Sequence, residues 1–101
     1  MTEKRQFRRT PVDVPVLITL EGAQDKTPGR CRDMSIGGVF VETELKAAFG
    51  ARLKLTVTAP GGDMEFPAVV RWTAADGLGL QFQGLGARET HAIVQWVSTK
   101  K

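Results

Sequence analysis

Cysteine is nearly absent from this chain: Cys31 stands alone, so no disulfide can brace the fold and no cysteine cluster offers a metal site. That usage fits a reducing compartment, most simply the cytosol. Histidine also occurs once, as His91, with no second ligand at a metal spacing, and reads as a surface or partly packed side chain. No histidine lies near Cys31 in sequence, so the thiol reads as a small strand residue and not as a nucleophile. The glycine pairs Gly37-Gly38 and Gly61-Gly62 match neither a P-loop nor a dinucleotide fingerprint. No apolar run is long enough to span a bilayer. None follows Met1-Thr2-Glu3-Lys4-Arg5 either, so no secretory signal is expected. These absences leave catalysis without a candidate constellation, imply no metal and no cofactor, and point to a soluble cytoplasmic protein.

What is present suffices for one folded domain. The chain has 101 residues, too few for two independent cores, and its 42% hydrophobic share is that of a globular protein. The net charge of +3 is unevenly placed. Residues 1–10 hold Lys4, Arg5, Arg8 and Arg9 against Glu3, while the remaining ten basic and ten acidic residues cancel. A neutral globule (residues 11–101) with a flexible basic arm (residues 1–10) is therefore expected. Such an arm either meets something anionic or is simply a solvated tail.

Beyond the arm, Val12, Val14, Val16, Ile18 and Leu20 alternate with more polar residues, the period of a half-buried strand. Pro15 cannot donate to a ladder and implies an edge position or a bulge. Residues 21–29 read as a loop, and Arg30 to Arg32 as the end of a second strand. Asp33 to Gly38 reads as a turn, with Val39-Phe40-Val41 resuming an extended run. Leu45 to Gly50 is a connector with room for one helical turn. Strands are expected again at Arg52–Thr58, Met64–Trp72 and Leu78–Phe82, separated by Pro60-Gly61-Gly62-Asp63 and Asp76-Gly77 turns. From Ala87 to Thr99 the period changes: Ala92, Ile93, Trp96 and Val97 recur at helical spacing. Short strands with regular turns, then one amphipathic helix, predict a small all-β barrel or sandwich whose open end the helix covers.

Two segments carry binding chemistry. Arginine forks onto phosphate, grips the O6/N7 edge of guanine and stacks on bases, and Arg5 and Arg9 flank Phe7 at a spacing of four. In Asp33-Met34-Ser35-Ile36-Gly37-Gly38, a carboxylate can accept the N1–H and N2–H donors of a guanine edge. Ser35 adds a small polar group, and the glycines admit close backbone approach. The alternative is an ordinary Asx-type turn, with Asp33 and Ser35 capping backbone and the glycines supplying positive φ.

Arg5-Gln6-Phe7-Arg8-Arg9 followed by Asp33-Met34-Ser35-Ile36-Gly37-Gly38-Val39-Phe40-Val41 resembles the PilZ domain family. Ala68-Val69-Val70-Arg71-Trp72 and Gly77-Leu78-Gly79-Leu80-Gln81-Phe82 are similar to the last two strands of that family, so the likeness runs from about residue 4 to 97. The resemblance implies a six-stranded antiparallel β-barrel with a C-terminal α-helix that binds cyclic di-GMP. It assigns the ligand to Arg5, Arg9, Asp33, Ser35 and Gly38; Lys4, Arg8, Gly37, Arg71 and Trp72 are candidates for additional contacts, Arg8 being either an extra phosphate contact or merely exposed. Lys4 beside the first motif arginine favours a stacked pair of ligands. Strand alternation would turn one of Arg71 and Trp72 outward and the other inward, leaving Trp72 either in the core or free to stack on a base. The expected output is an unidentified effector protein that reads the ordered arm. Two rival readings are a PilZ-fold interaction module that binds no nucleotide and a small basic-arm barrel that binds nucleic acid; the barrel strands lack the aromatic platforms the latter needs.

Overall fold

The computed structural model describes residues 10–58 and 62–99. Lys4, Arg5, Arg8 and Arg9 lie outside the described residues. Six strands precede one helix: β1 (Thr10–Leu20), β2 (Thr27–Met34), β3 (Gly38–Glu42), β4 (Arg52–Val57), β5 (Met64–Ala74), β6 (Gly77–Phe82) and α1 (Ala87–Thr99). All neighbouring strands are antiparallel, and they close into a barrel in the order β1-β2-β3-β6-β5-β4. Two three-stranded meanders, β1–β2–β3 and β4–β5–β6, are thus sealed along the β3–β6 and β1–β4 seams. Closure leaves few unpaired strand edges for another chain to join.

The alternation read from the sequence fills the interior. Val12, Val16 and Ile18 of β1, Leu53, Leu55 and Val57 of β4, and Phe66, Ala68 and Val70 of β5 are buried in one cluster. Ile93 of α1 joins that cluster fully buried, and Trp96 packs its ring 5.7 Å from that of Phe66. Helix α1 therefore serves as the expected apolar cover, resting against β1 and β5. At about 25 cal/mol per Å² of apolar surface removed from water, each such side chain contributes roughly 1.5–3 kcal/mol.

Three local expectations differ from the structure. The loop at 21–29 is shorter, because β2 begins at Thr27 and pairs Pro28 with Leu17 and Gly29 with Val16. Glycine suits this strand position because a Cβ there would press on Val41 Cγ1 at 2.9 Å and Ile18 Cδ1 at 3.1 Å. The connector Leu45–Gly50 contains no helix. It is fastened instead by Thr43, whose hydroxyl donates to the Pro28 carbonyl at 2.9 Å and accepts from the Leu45 N–H at 3.2 Å. Asp33 and Met34 end β2 and Gly38 opens β3, so the turn proper is only Ser35–Gly37. Pro15 sits where expected: β1 pairs with β4 only from Leu17 onward, so the ring nitrogen faces no ladder on that side.

Candidate functional site

Bulges decide which side chains leave the barrel wall outward. In β2 the register slips between Cys31 and Asp33, which pair with Val41 and Phe40 in turn. Arg32 is the extra residue, and both it and Asp33 are exposed between the buried Cys31 and Met34. In β5 the register slips between Val70 and Trp72, with Arg71 as the extra residue. Arg71 and Trp72 are consequently both exposed, which corrects the expectation that one of the pair faces inward. An extra residue lets two consecutive side chains share a face, as bulges commonly do beside binding sites.

Register then lines up a row across the outer surface. Asp33 pairs with Phe40, Phe40 with Gly79, and Gly79 with Trp72, so one residue from each of β2, β3, β6 and β5 stands abreast. Three strand spacings of about 4.8 Å make the row roughly 14 Å wide. Phe40 and Trp72 lean over the glycine between them and stack, with centroids 5.3 Å apart and planes within 13°. Gly79 is the slot for this stack, since a Cβ there would collide with Cε2 and Nε1 of Trp72. Gly77 does the same for Phe40, whose Cζ would lie 2.6 Å from an added Cβ. Both glycines face outward yet are buried, because the rings lie over them. Trp72 remains 49% exposed, so it is a surface platform and not a core residue.

The Ser35–Gly38 turn sits at the end of this face. The Ser35 N–H donates to the Gly38 carbonyl at 2.8 Å, and its hydroxyl donates to the same oxygen at 3.5 Å. Gly37 gives its carbonyl to the Phe82 N–H at 3.0 Å, tying the turn to β6. Neither Gly37 nor Gly38 has positive φ. Gly38 is required for another reason: a Cβ would collide with the Leu80 carbonyl oxygen across the β3–β6 seam. Ser35 thus caps local backbone as the turn alternative expects. Asp33 does not: its carboxylate has no hydrogen bond or ion pair among the described residues, and the residue is exposed.

The first described strand begins beside this place. Thr10 pairs with Met34 and Pro11 with Asp33, and the motif residue Arg9 precedes Pro11 by two positions in sequence. Arg71 projects differently, with its guanidinium carbon 5.7 Å from the Phe49 ring centroid. Phe40 and Gly79 are site residues that the sequence reading passed over. The alternate glycines at 77 and 79 in a strand were the available signal, since such gaps mark something large lying over the backbone.

The remaining chemistry is muted. Burial pushes the Cys31 thiol up to about 12, as befits a side chain inside the barrel. Among the described residues no group of three His, Cys, Asp or Glu is placed to hold a metal. Nor, among them, is any helix long and apolar enough to cross a membrane.

The family model for the PilZ domain matches residues 3–99. Among solved structures, the PilZ domain with c-di-GMP of YcgR from Escherichia coli is similar at a TM-score of 0.76 and 14% identity, covering 97% of this chain and 92% of that one. The PilZ domain of CeSA from a cellulose-synthesizing bacterium is similar at 0.71 and 16% identity, over 90% and 95% of the two chains. The Bacillus subtilis inhibitor of motility, MotI/DgrA, is similar at 0.75 and 23% identity, over 96% of this chain but only 51% of that one. Identities this low establish a shared fold. Sequence comparison with curated proteins finds no match.

Proposed function

The chain belongs to the PilZ domain family, and from that premise we propose that it is a cytoplasmic receptor for cyclic di-GMP that passes the signal to a partner protein. The observation that carries this reading is the row Asp33–Phe40–Gly79–Trp72, with Pro11, two residues after the RxxxR motif in sequence, paired beside Asp33. Asp33 offers a carboxylate without a partner among the described residues to the N1–H and N2–H of guanine. The base then lies towards Phe40 and the exposed face of Trp72, where stacking contributes about 1–3 kcal/mol per base. Arg5 and Arg9 supply charge-assisted contacts to phosphate and to the guanine O6/N7 edge, at about 1.5–3 kcal/mol each. Ser35, Gly37 and Gly38 shape the rim through the turn and its close backbone. Arg8 adds a further cation to the arm sequence, whereas Arg71, next to Trp72 on β5, turns its guanidinium to Phe49.

Signalling follows from ordering. Fixing the arm over the ligand opposes binding by about 1–2 kcal/mol per residue immobilised, which the two arginines and the stacked base must exceed. The ordered arm, absent without ligand, is the surface an effector protein reads. Lys4 can neutralise the phosphates of a second nucleotide, so the receptor takes a stacked pair. The deciding experiment is calorimetry with cyclic di-GMP on wild type, Arg9→Ala and Asp33→Ala. Binding by wild type at two ligands per chain, weakened at least tenfold in each variant, is expected. Absence of heat with wild type would instead leave a PilZ-fold interaction module that binds no nucleotide.

A further inference from the structure

The outer face of β4 and β5 carries binding capacity that the nucleotide row does not use. Of the described arginines, Arg30 and Arg32 are engaged by Asp13, at 2.8 and 3.7 Å, and Arg88 donates to the Gly62 carbonyl at 3.3 Å. Arg52 and Arg71 have neither a carboxylate nor a carbonyl partner among the described residues. The two flank one spot: Arg52 pairs across the sheet with Val69, two residues before Arg71 on the same strand. Val69 faces outward yet is only 8% exposed, and it belongs to no part of the inner core. Phe49, the most exposed large apolar side chain described at 69%, lies under the Arg71 guanidinium. Its loop is not frayed. The Gly50 N–H donates to the Val70 carbonyl at 2.8 Å and the Val70 N–H to the Ala51 carbonyl at 2.9 Å.

We propose that Phe49, Arg52 and Arg71 form the docking surface for a partner protein that presents an apolar side chain flanked by carboxylates. An exposed aromatic on a hydrogen-bonded loop, beside two guanidinium groups that no described carboxylate engages, is the residue chemistry enriched at protein interfaces. Each guanidinium fork donates to a carboxylate in bidentate fashion. The same patch is too small for the other anionic partners. Nucleic-acid binding accumulates over roughly 6–10 phosphate contacts, and recognition of an anionic membrane over clusters of about four to eight cations. Two cations around one phenyl ring suit a protein.

The patch is also joined to the nucleotide row. Arg71 and Trp72 are consecutive residues at one bulge, so a base that settles on Trp72 fixes the backbone from which Arg71 projects. This coupling rests on the proposed nucleotide reading; the docking surface itself does not.

A random-peptide phage library panned on the immobilised full chain, with and without cyclic di-GMP, supplies the test. Selected peptides are then synthesised and titrated by fluorescence anisotropy. The expected peptides carry an apolar residue beside Asp or Glu. Phe49→Ala, and Arg52→Ala combined with Arg71→Ala, weaken them at least tenfold, and cyclic di-GMP changes their affinity at least threefold. Failure to select peptides, selection without acidic residues, or equal binding by the variants overturns the docking surface. Loss in the same variants of binding to an oligonucleotide or to phosphatidylserine vesicles, with no peptide selected, assigns the patch to those partners instead and overturns it too. An affinity indifferent to the nucleotide overturns the coupling. Calorimetry with cyclic di-GMP separates the two readings: Phe49→Ala binds it as wild type does. A wild-type protein that fails to bind overturns the nucleotide reading alone.

Discussion

Replacing Gly79 with alanine tests the aromatic row directly, because the added carbon enters space occupied by the Trp72 indole. The backbone at Gly79 is not in the positive-φ region, so alanine is conformationally permitted and only the collision matters. About half of Trp72 is covered; half of a tryptophan's roughly 200 Å², at about 25 cal/mol per Å², is roughly 2.5 kcal/mol as an upper bound. The stack on Phe40 adds about 1 kcal/mol, and removing a glycine from the unfolded chain returns about 0.4–1 kcal/mol. A displaced indole still finds some cover, so the expected net loss is about 2 kcal/mol, read from urea denaturation. Near-ultraviolet circular dichroism loses the signal of the stacked rings, and cyclic di-GMP affinity falls at least tenfold. The decisive control is the same substitution in a Trp72→Ala background. With no indole to collide with, Gly79→Ala should change sign and stabilise by about 0.4–1 kcal/mol. Equal effects in the two backgrounds would refute the account.

Three other outcomes are expected. Ile93→Ala removes the fully buried anchor of α1 and should destabilise by about 2–5 kcal/mol in thermal or urea unfolding. Asp13→Ala removes the partner of Arg30 and Arg32, but all three side chains are about half exposed; the loss should stay below about 1 kcal/mol and fade at 1 M salt. Cys31 should resist iodoacetamide at pH 8 until the chain unfolds, because its thiol is raised from 9.0 to about 12. The folded state holds that proton more tightly than the unfolded one, so the associated stability is intact below pH 9 and is lost as pH rises towards about 12. A smaller alkaline loss in Cys31→Ala than in wild type, by urea midpoint, checks this.

Strand identity was legible wherever inward and outward residues alternate, as at Val12 to Leu20 and Arg52 to Val57, because burying one face imposes period two. The helix was legible to its bounds for the corresponding reason. What escaped were places where pairing overrides local preference. Pro28 and Gly29 look like loop residues but are taken into β2 by their register with β1. The two-sided exposure of Arg71 and Trp72 escaped because a bulge is a property of two strands together, and one strand's residues do not announce it. Asp33 and Ser35 were legible as a pair, yet their parts differ: the serine closes the turn, while no described residue engages the carboxylate. Phe40 was read as strand filler, since only the β3–β6 and β5–β6 registers together bring it to Trp72.

The bulges also determine where this barrel tolerates a change of length. Removing Arg32 would leave Cys31 and Met34 pointing inward and Asp33 outward; removing Arg71 would leave Val70 inward and Trp72 outward. No core side chain would change face in either case, whereas a deletion elsewhere in β2 or β5 would invert every residue beyond it. One residue can therefore be lost at either of these two points and alter what the surface offers while the interior stays as it was.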